Sequence, residues 1–252
     1  MPISLPTERT RPPLDASRLM ILLYGSPKIG KSTFCARFPR GLFLATEPGL
    51  AHLDTYSIPI RAWGDVLDAI GAIGDDPHKF SPIIIDTADR LWDLACAEVA
   101  RKAGVDIVGD IGYGRGIERA QGLYKNAIMA LASLDVGLVF TSHAQAVTLQ
   151  PPGLEKQTKW APTLAEKALN IVAPLVDIVL YAASEPAVDK KTGAHVDMRV
   201  AHASPSPLWI AGDRTGRLAP SFPFSFHKFM EFFTETGAES AQNTGAGNAK
   251  QV

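Results

Sequence analysis

Short, wholly apolar runs alternate along this chain with segments of helical spacing, and the alternation sets the predicted architecture. Leu19–Tyr24, the run around Leu42–Ala45, Ile83–Ile85 and the run from Gly137 to Phe140 are each apolar on successive residues, and Leu175–Ala182 is interrupted only by Asp177. That pattern predicts strands buried on both faces, as in a parallel sheet. Between them, Trp63–Ile73 repeats Val66, Leu67, Ile70 and Ile73, and Leu91–Lys102 and Ile117–Leu134 are amphipathic. A short helix to about Phe38 follows the first run. Thr163–Val172 predicts another, with Thr163 as cap and Glu166 as its capping-box partner. Strands alternating with helices predict an α/β fold with a mainly parallel central sheet. Ala187–Val188 and Val196–Ala203, joined by 189–193, predict a C-terminal β-hairpin, and aromatic-rich Phe222–Phe233 a last helix. Residues 144–160 lack apolar periodicity and predict a loop. The expected organisation is an irregular arm over 1–17, one domain over 18–235 and a disordered tail over 236–252.

Composition narrows this only slightly. With 252 residues and a formal net charge of −1, the chain has no global basic field, so nucleic acid would have to meet a local patch. The two cysteines, Cys35 and Cys96, fall in predicted helices and read as buried thiols. No apolar run reaches membrane-spanning length and no signal-peptide core is visible, so a cytoplasmic protein without a membrane partner is expected.

The polar residues at the ends of the apolar runs carry the chemistry. After the first run comes Gly25-Ser26-Pro27-Lys28-Ile29-Gly30-Lys31-Ser32-Thr33. This is a phosphate-binding loop in its required setting, strand before and helix after. Gly25 and Gly30 let backbone N–H groups turn inward around phosphate. Lys31 would sit on the β- and γ-phosphates and Ser32 would offer its hydroxyl to Mg²⁺. A chance match in a chain of this length is on the order of one per cent. Asp86, ending Ile83-Ile84-Ile85, reads as a Walker B carboxylate in the Mg²⁺ shell, as the cap of the following helix, or as both. Glu47, at the end of the second run, either activates the water that attacks the γ-phosphate or caps a turn. Thr141, Ser142 or His143 would lie beside the γ-phosphate, and His143 is either a sensor there or structural. The glycine-rich stretch 104–116 holds Tyr113 and Arg115, and 144–160 holds Lys156, Lys159 and Trp160. Each is a nucleic-acid loop or a plain surface loop. Arg214 and Arg217 would reach a phosphate across a subunit interface or stay as surface charge. The N-terminal arginines Arg9, Arg11 and Arg18 read as a solvated tail or as contacts to a neighbour.

In this order the motifs resemble a known family. The phosphate loop, Leu44-Ala45-Thr46-Glu47-Pro48-Gly49, Ile83-Ile84-Ile85-Asp86-Thr87, Ile111-Gly112-Tyr113-Gly114, Thr141-Ser142-His143, the run from Ala173 to Tyr181, and Gly212-Asp213-Arg214-Thr215-Gly216 are similar to those of AAA-type P-loop ATPases encoded largely by phages. These are RecA-like proteins linked to single-strand DNA annealing and recombination. The resemblance spans about residues 19–220. It implies a RecA-like core in which the Asp86 strand is not adjacent to the phosphate-loop strand. It also implies a catalytic role for Glu47, a sensing role for His143 and a DNA-binding segment after it. Arg214 would act on the ATP of a neighbouring subunit. Gly212 stands where the family carries a lysine, which leaves Arg217 as the substitute. The implied activity is Mg²⁺-dependent ATP hydrolysis, DNA-stimulated, by a homo-oligomer. Single-stranded DNA and a single-strand-binding protein are the implied partners, in the host cytoplasm if the protein is phage-encoded. The competing expectations are a nucleotide-switched scaffold with little turnover and a small-molecule P-loop kinase.

Overall fold

The computed structural model describes residue 7 and residues 15–75, 80–150, 155–188 and 194–234. The expected arm, with Arg9 and Arg11, the 151–153 and 189–193 turns and the tail from 236 fall outside the described residues, Thr7 and residues from 15 on excepted.

The apolar runs form one sheet because each alternates its side chains between two helical layers. The phosphate-loop strand β1 (Met20–Gly25) pairs in parallel with β5 (Leu138–Leu149) and β7 (Ile178–Val188). Beyond β5 lie β4 (Ile83–Asp86), β2 (Leu42–Ala45) and β3 (Tyr56–Pro59), all parallel. Beyond β7, the antiparallel strands β8 (His195–His202) and β10 (Ser221–Pro223) finish the other side. The order is therefore β10-β8-β7-β1-β5-β4-β2-β3, with β6 (Gln157–Pro162) on β5 and β9 (Gly212–Asp213) on β7. The Asp86 strand is separated from the phosphate-loop strand by β5, the RecA-like order expected from the sequence.

Period-2 alternation divides the interior into two cores. Leu22, Leu44, Ile83, Ile85 and Phe140 face one way, against helices α2 (Trp63–Asp75), α3 (Ala88–Ala103), α4 (Arg115–Ala132) and α5 (Glu166–Val172). Ile21, Leu23, Phe43, Ile84 and Val139 face the other, against α1 (Lys31–Cys35) and α6 (Phe226–Glu231). Truncating any of these fully buried side chains to alanine would cost about 2–5 kcal/mol.

Several expected boundaries move, each for a local reason. Most of the 144–160 segment described is strand: β5 continues to Leu149 and β6 starts at Gln157, the two paired antiparallel from Ala144↔Pro162 to Leu149↔Gln157. Most residues of this hairpin are exposed or half-buried and both its faces carry polar residues, so no apolar alternation marks it. Thr163 does not cap α5, which starts at Glu166 after Ala165; its hydroxyl goes to Asp89 instead. The strand expected at 175–182 and the first arm of the C-terminal hairpin are one continuous strand, β7, and Phe222–Phe233 is divided into β10 and α6 at Pro223 and Ser225. The cap of α3 is Thr87, which accepts from Arg90 N, so the capping alternative for Asp86 falls away. Arg18 is held by Asp135 at 2.5 Å. No helix among the described residues is long and apolar enough to cross a membrane.

Candidate functional site

Parallel strands bring their carboxyl ends to one edge of the sheet, and the crevice there is where ligands of such folds bind. Gly25 ends β1 at that edge, opposite His143 on β5 and Ala182 on β7. A Cβ on Gly25 would lie 2.4 Å from the Ala182 carbonyl oxygen, so only glycine lets the chain leave the sheet here. The loop then takes left-handed angles at Lys28 (φ 65°) and Gly30 (φ 108°) before entering α1.

Lys31 is buried in the loop it closes. Its Nζ donates to the carbonyls of Gly25 (2.9 Å) and Ser26 (3.2 Å), with His143 Nδ1 at 3.5 Å. Burial pulls the Lys31 ammonium below its ordinary value, and Asp86, Asp89 and Glu47 pull it back up. Ser32 Oγ donates to Asp86 Oδ2 at 2.8 Å, and Thr141 donates to the other oxygen of the same carboxylate. Behind them, Thr46 and Thr87 exchange two hydrogen bonds (3.0 and 2.8 Å), which locks the end of β2 to the end of β4. The Thr87 hydroxyl donates to Glu47 Oε1 at 2.8 Å, and the remaining oxygen, Oε2, lies 3.9 Å from His143 Nε2. His143 thus stands between the ammonium of Lys31 and the carboxylate of Glu47.

These groups line one cavity of about 540 Å³, bounded by the phosphate loop, Glu47, His52, Asp86, Thr87 and His143. Its volume is of the order that nucleotide-sized ligands need. One carboxylate beside one hydroxyl, open on the side of the phosphate loop, suits Mg²⁺, which keeps waters and takes phosphate oxygens. Among the described residues, no cluster of three or more His, Cys, Asp or Glu forms an all-protein metal site.

Lys31, Ser32, Glu47, Asp86 and His143 therefore come together on this one cavity. Pro27, Lys28, Gly30 and Thr33 of the phosphate loop line it too, whereas the expected DNA-binding and trans-acting residues lie elsewhere. Tyr113 is exposed at φ 60°, with the Arg115 guanidinium 5.7 Å from its ring centre. Lys156 precedes β6, and Lys159 and Trp160 lie on it, the Trp160 ring stacked 6.2 Å from Tyr181. Arg214 sits near the amino end of β7: its backbone N–H donates to Asp177 O (2.8 Å) and its Nη2 to Pro174 O (3.0 Å). That is the opposite end of the sheet from its own phosphate loop. Arg217 packs on Phe233, 5.7 Å from the ring centre. Thr141, one of the three expected beside the γ-phosphate, is buried on Asp86; sequence reasoning misses Thr46 and Thr87, whose hydroxyls tie the strand ends together, and Arg199, whose Nη1 donates to Ile29 O at 3.2 Å.

A phosphate loop at a parallel sheet edge, with a carboxylate one strand removed, defines a P-loop nucleotide-binding domain with RecA-like strand order. The chain belongs to an AAA domain family, whose model matches residues 17–215. It is 26% identical over 199 residues to the SPbeta prophage-derived uncharacterized protein YorG of Bacillus subtilis (strain 168). That match takes in 76% of this chain but only 56% of YorG, so the chain spans little more than half the length of this relative. Among solved structures it is similar to a KaiC-like protein, PH0186, from Pyrococcus horikoshii OT3, at 13% identity and a TM-score of 0.42. That alignment covers 73% of this chain and 77% of the other.

Proposed function

We propose that the protein is a Mg²⁺-dependent ATPase that works on single-stranded DNA, as a homo-oligomer, in phage recombination, annealing or replication. The observation that carries the hydrolytic part is Glu47, anchored through Oε1 by the Thr87 hydroxyl at 2.8 Å in the cavity that also holds Lys31. A carboxylate fixed in this way accepts a proton from a water attacking the γ-phosphorus. Lys31 offsets charge on the β- and γ-phosphate oxygens, which is where charge develops in phosphoryl transfer. Ser32 and Asp86 would hold the metal ion, which neutralises phosphate charge when bound. His143, with Lys31 on one side and Glu47 on the other, responds to the presence of the γ-phosphate.

Support for the DNA part is of a different kind. The β5–β6 hairpin grows from the strand that carries His143, and it bears Trp160 and Lys159, with Lys156 just before it. An aromatic ring among cations is the chemistry that binds single strands through base stacking and phosphate contacts. The prophage source of YorG fits a phage-borne role, and a single-strand-binding protein is a natural co-partner.

The test is the rate of phosphate release with and without single-stranded DNA. Stimulation by DNA, with DNA affinity falling as salt rises, is expected. Glu47→Gln should keep nucleotide binding and lose turnover by about 10²–10⁴-fold. Lys31→Ala should lose nucleotide binding while melting as a folded protein. If the wild type binds ATP but releases no phosphate, the protein is a nucleotide-switched scaffold instead.

A further inference from the structure

A second cavity, of about 560 Å³, adjoins the phosphate site and shares Gly30 and Thr33 with it. Its chemistry differs sharply from that of the first. One wall is a stack of rings: Phe34 and Phe224 lie 5.1 Å apart at 9°, and Phe226 meets Phe34 edge-on at 5.5 Å. Two guanidinium groups complete the lining, Arg37 from just beyond α1 and Arg199 from β8. Arg199 is fixed to the loop itself through Ile29 O at 3.2 Å. Gly30 separates the two cavities: a Cβ there would come within 3.0 Å of Arg199 Nη1 and 4.0 Å of Phe224 Cε1.

The phosphate site has Glu47 and His143 on one side, where bond cleavage needs them, and Gly30 and Thr33 on another. A triphosphate whose γ end lies toward Glu47 sends its nucleoside out past Gly30 and Thr33. We infer that the Phe224–Arg37 cavity takes the nucleoside half of the ligand, and that it holds the base by its faces and not by its edges. The lining is mostly rings and donor-only guanidinium groups, and its remaining polar side chains are Thr33, Ser225, whose Oγ accepts from Lys228 N at 3.1 Å, and His227, whose Nδ1 lies 3.1 Å from Glu231. Among the described residues no carboxylate or carboxamide side chain lines it, and such groups are the side-chain acceptors that read an amino group on a base. A ring wall and a cation grip any purine through stacking and cation–π attraction. The site is therefore a purine site with little choice between adenine and guanine, and smaller pyrimidines hold less well. This rests on the phosphate-loop reading above.

The experiment is calorimetric titration with Mg-ADP, Mg-GDP, Mg-CDP and inorganic pyrophosphate, which separates the two halves of the ligand without turnover. ADP and GDP should bind within about 5-fold of each other, with CDP weaker. Arg37 is exposed, so Arg37→Ala should fold normally. It should weaken ADP and GDP by about 3–30-fold, the range of a cation–π contact, and leave pyrophosphate unchanged. Met230→Trp, which fills the cavity, should weaken the nucleosides more strongly with the same pyrophosphate affinity. Unchanged ADP affinity in both variants would overturn the assignment of this cavity. A preference for ADP over GDP beyond about 50-fold would overturn recognition by faces. A wild type that binds neither pyrophosphate nor ADP would overturn the phosphate-loop reading, and this inference with it.

Discussion

Gly25 and Glu98 mark two ways in which a single residue matters here. At Gly25 the backbone passes so close to β7 that an added Cβ would meet Ala182 O at 2.4 Å. A strand pair cannot yield to a backbone contact as a flexible side chain can. Gly25→Ala should therefore lower stability by about 1–3 kcal/mol or more, read from urea denaturation midpoints. Glu98 acts through charge. Arg101 and Lys102 hold its carboxyl well below its ordinary 4.5, at about 2. Because the folded value is the lower one, the contribution is whole above about pH 4.5 and is lost as pH falls toward 2. These partners are exposed, so Glu98→Gln should lower the melting temperature by only ~1–2 °C at neutral pH, and by less at pH 2, where the carboxyl is about half protonated. The residues that were legible in the sequence are those whose role depends on near neighbours or on a strand end. Gly25, Lys31 and Ser32 are fixed by loop spacing, and Asp86 and Glu47 by ending an apolar run. Thr46 and Thr87 are ordinary threonines until β2 and β4 bring them together beside Glu47. Arg199 reaches Ile29 from a strand 170 positions away in sequence, which no local pattern encodes.

At the scale of elements, burial decided what could be read. The parallel strands and the long helices face apolar layers, so their periodicity is strong and their positions follow from it. The β5–β6 hairpin has no such layer and was invisible. It is held at its base by polar contacts: Thr163 N–H to His143 O at 2.9 Å, and the hydroxyls of Ser142 (3.0 Å) and Thr163 on the Asp89 carboxylate. Asp89 lies in the first turn of α3, three residues after Asp86, so the hairpin is tied to the strand end that carries Asp86. Asp89→Asn would weaken two charge-assisted hydrogen bonds, with an expected cost of about 1–3 kcal/mol. Amide exchange should rise first in 144–162, before the parallel strands, and hydrogen-exchange mass spectrometry would show it. Uniform acceleration across the sheet would mean that Asp89 supports the whole fold and not the hairpin in particular.

For the molecule as a whole, only the separation of the Asp86 strand from the phosphate-loop strand is expected beforehand, and from family resemblance alone, since no residue pattern says which strands are neighbours; the rest of the order comes from the structure. That order has a consequence for how the protein comes into being. The phosphate-loop strand is made early, yet both its neighbours, β5 and β7, lie beyond residue 137. At ~5–20 residues per second, β1 waits roughly 6–24 seconds on the ribosome before the first of them is synthesised. Its contacts are long-range in sequence, so it folds late and slowly. A fragment ending near residue 135 contains the whole nucleotide signature, Lys31, Ser32, Glu47 and Asp86 included. It should nevertheless fail to retain ADP in equilibrium dialysis, and nascent chains stalled before β7 emerges should remain open to protease at the phosphate loop. The most recognisable stretch of the sequence is among the last parts of the structure to exist.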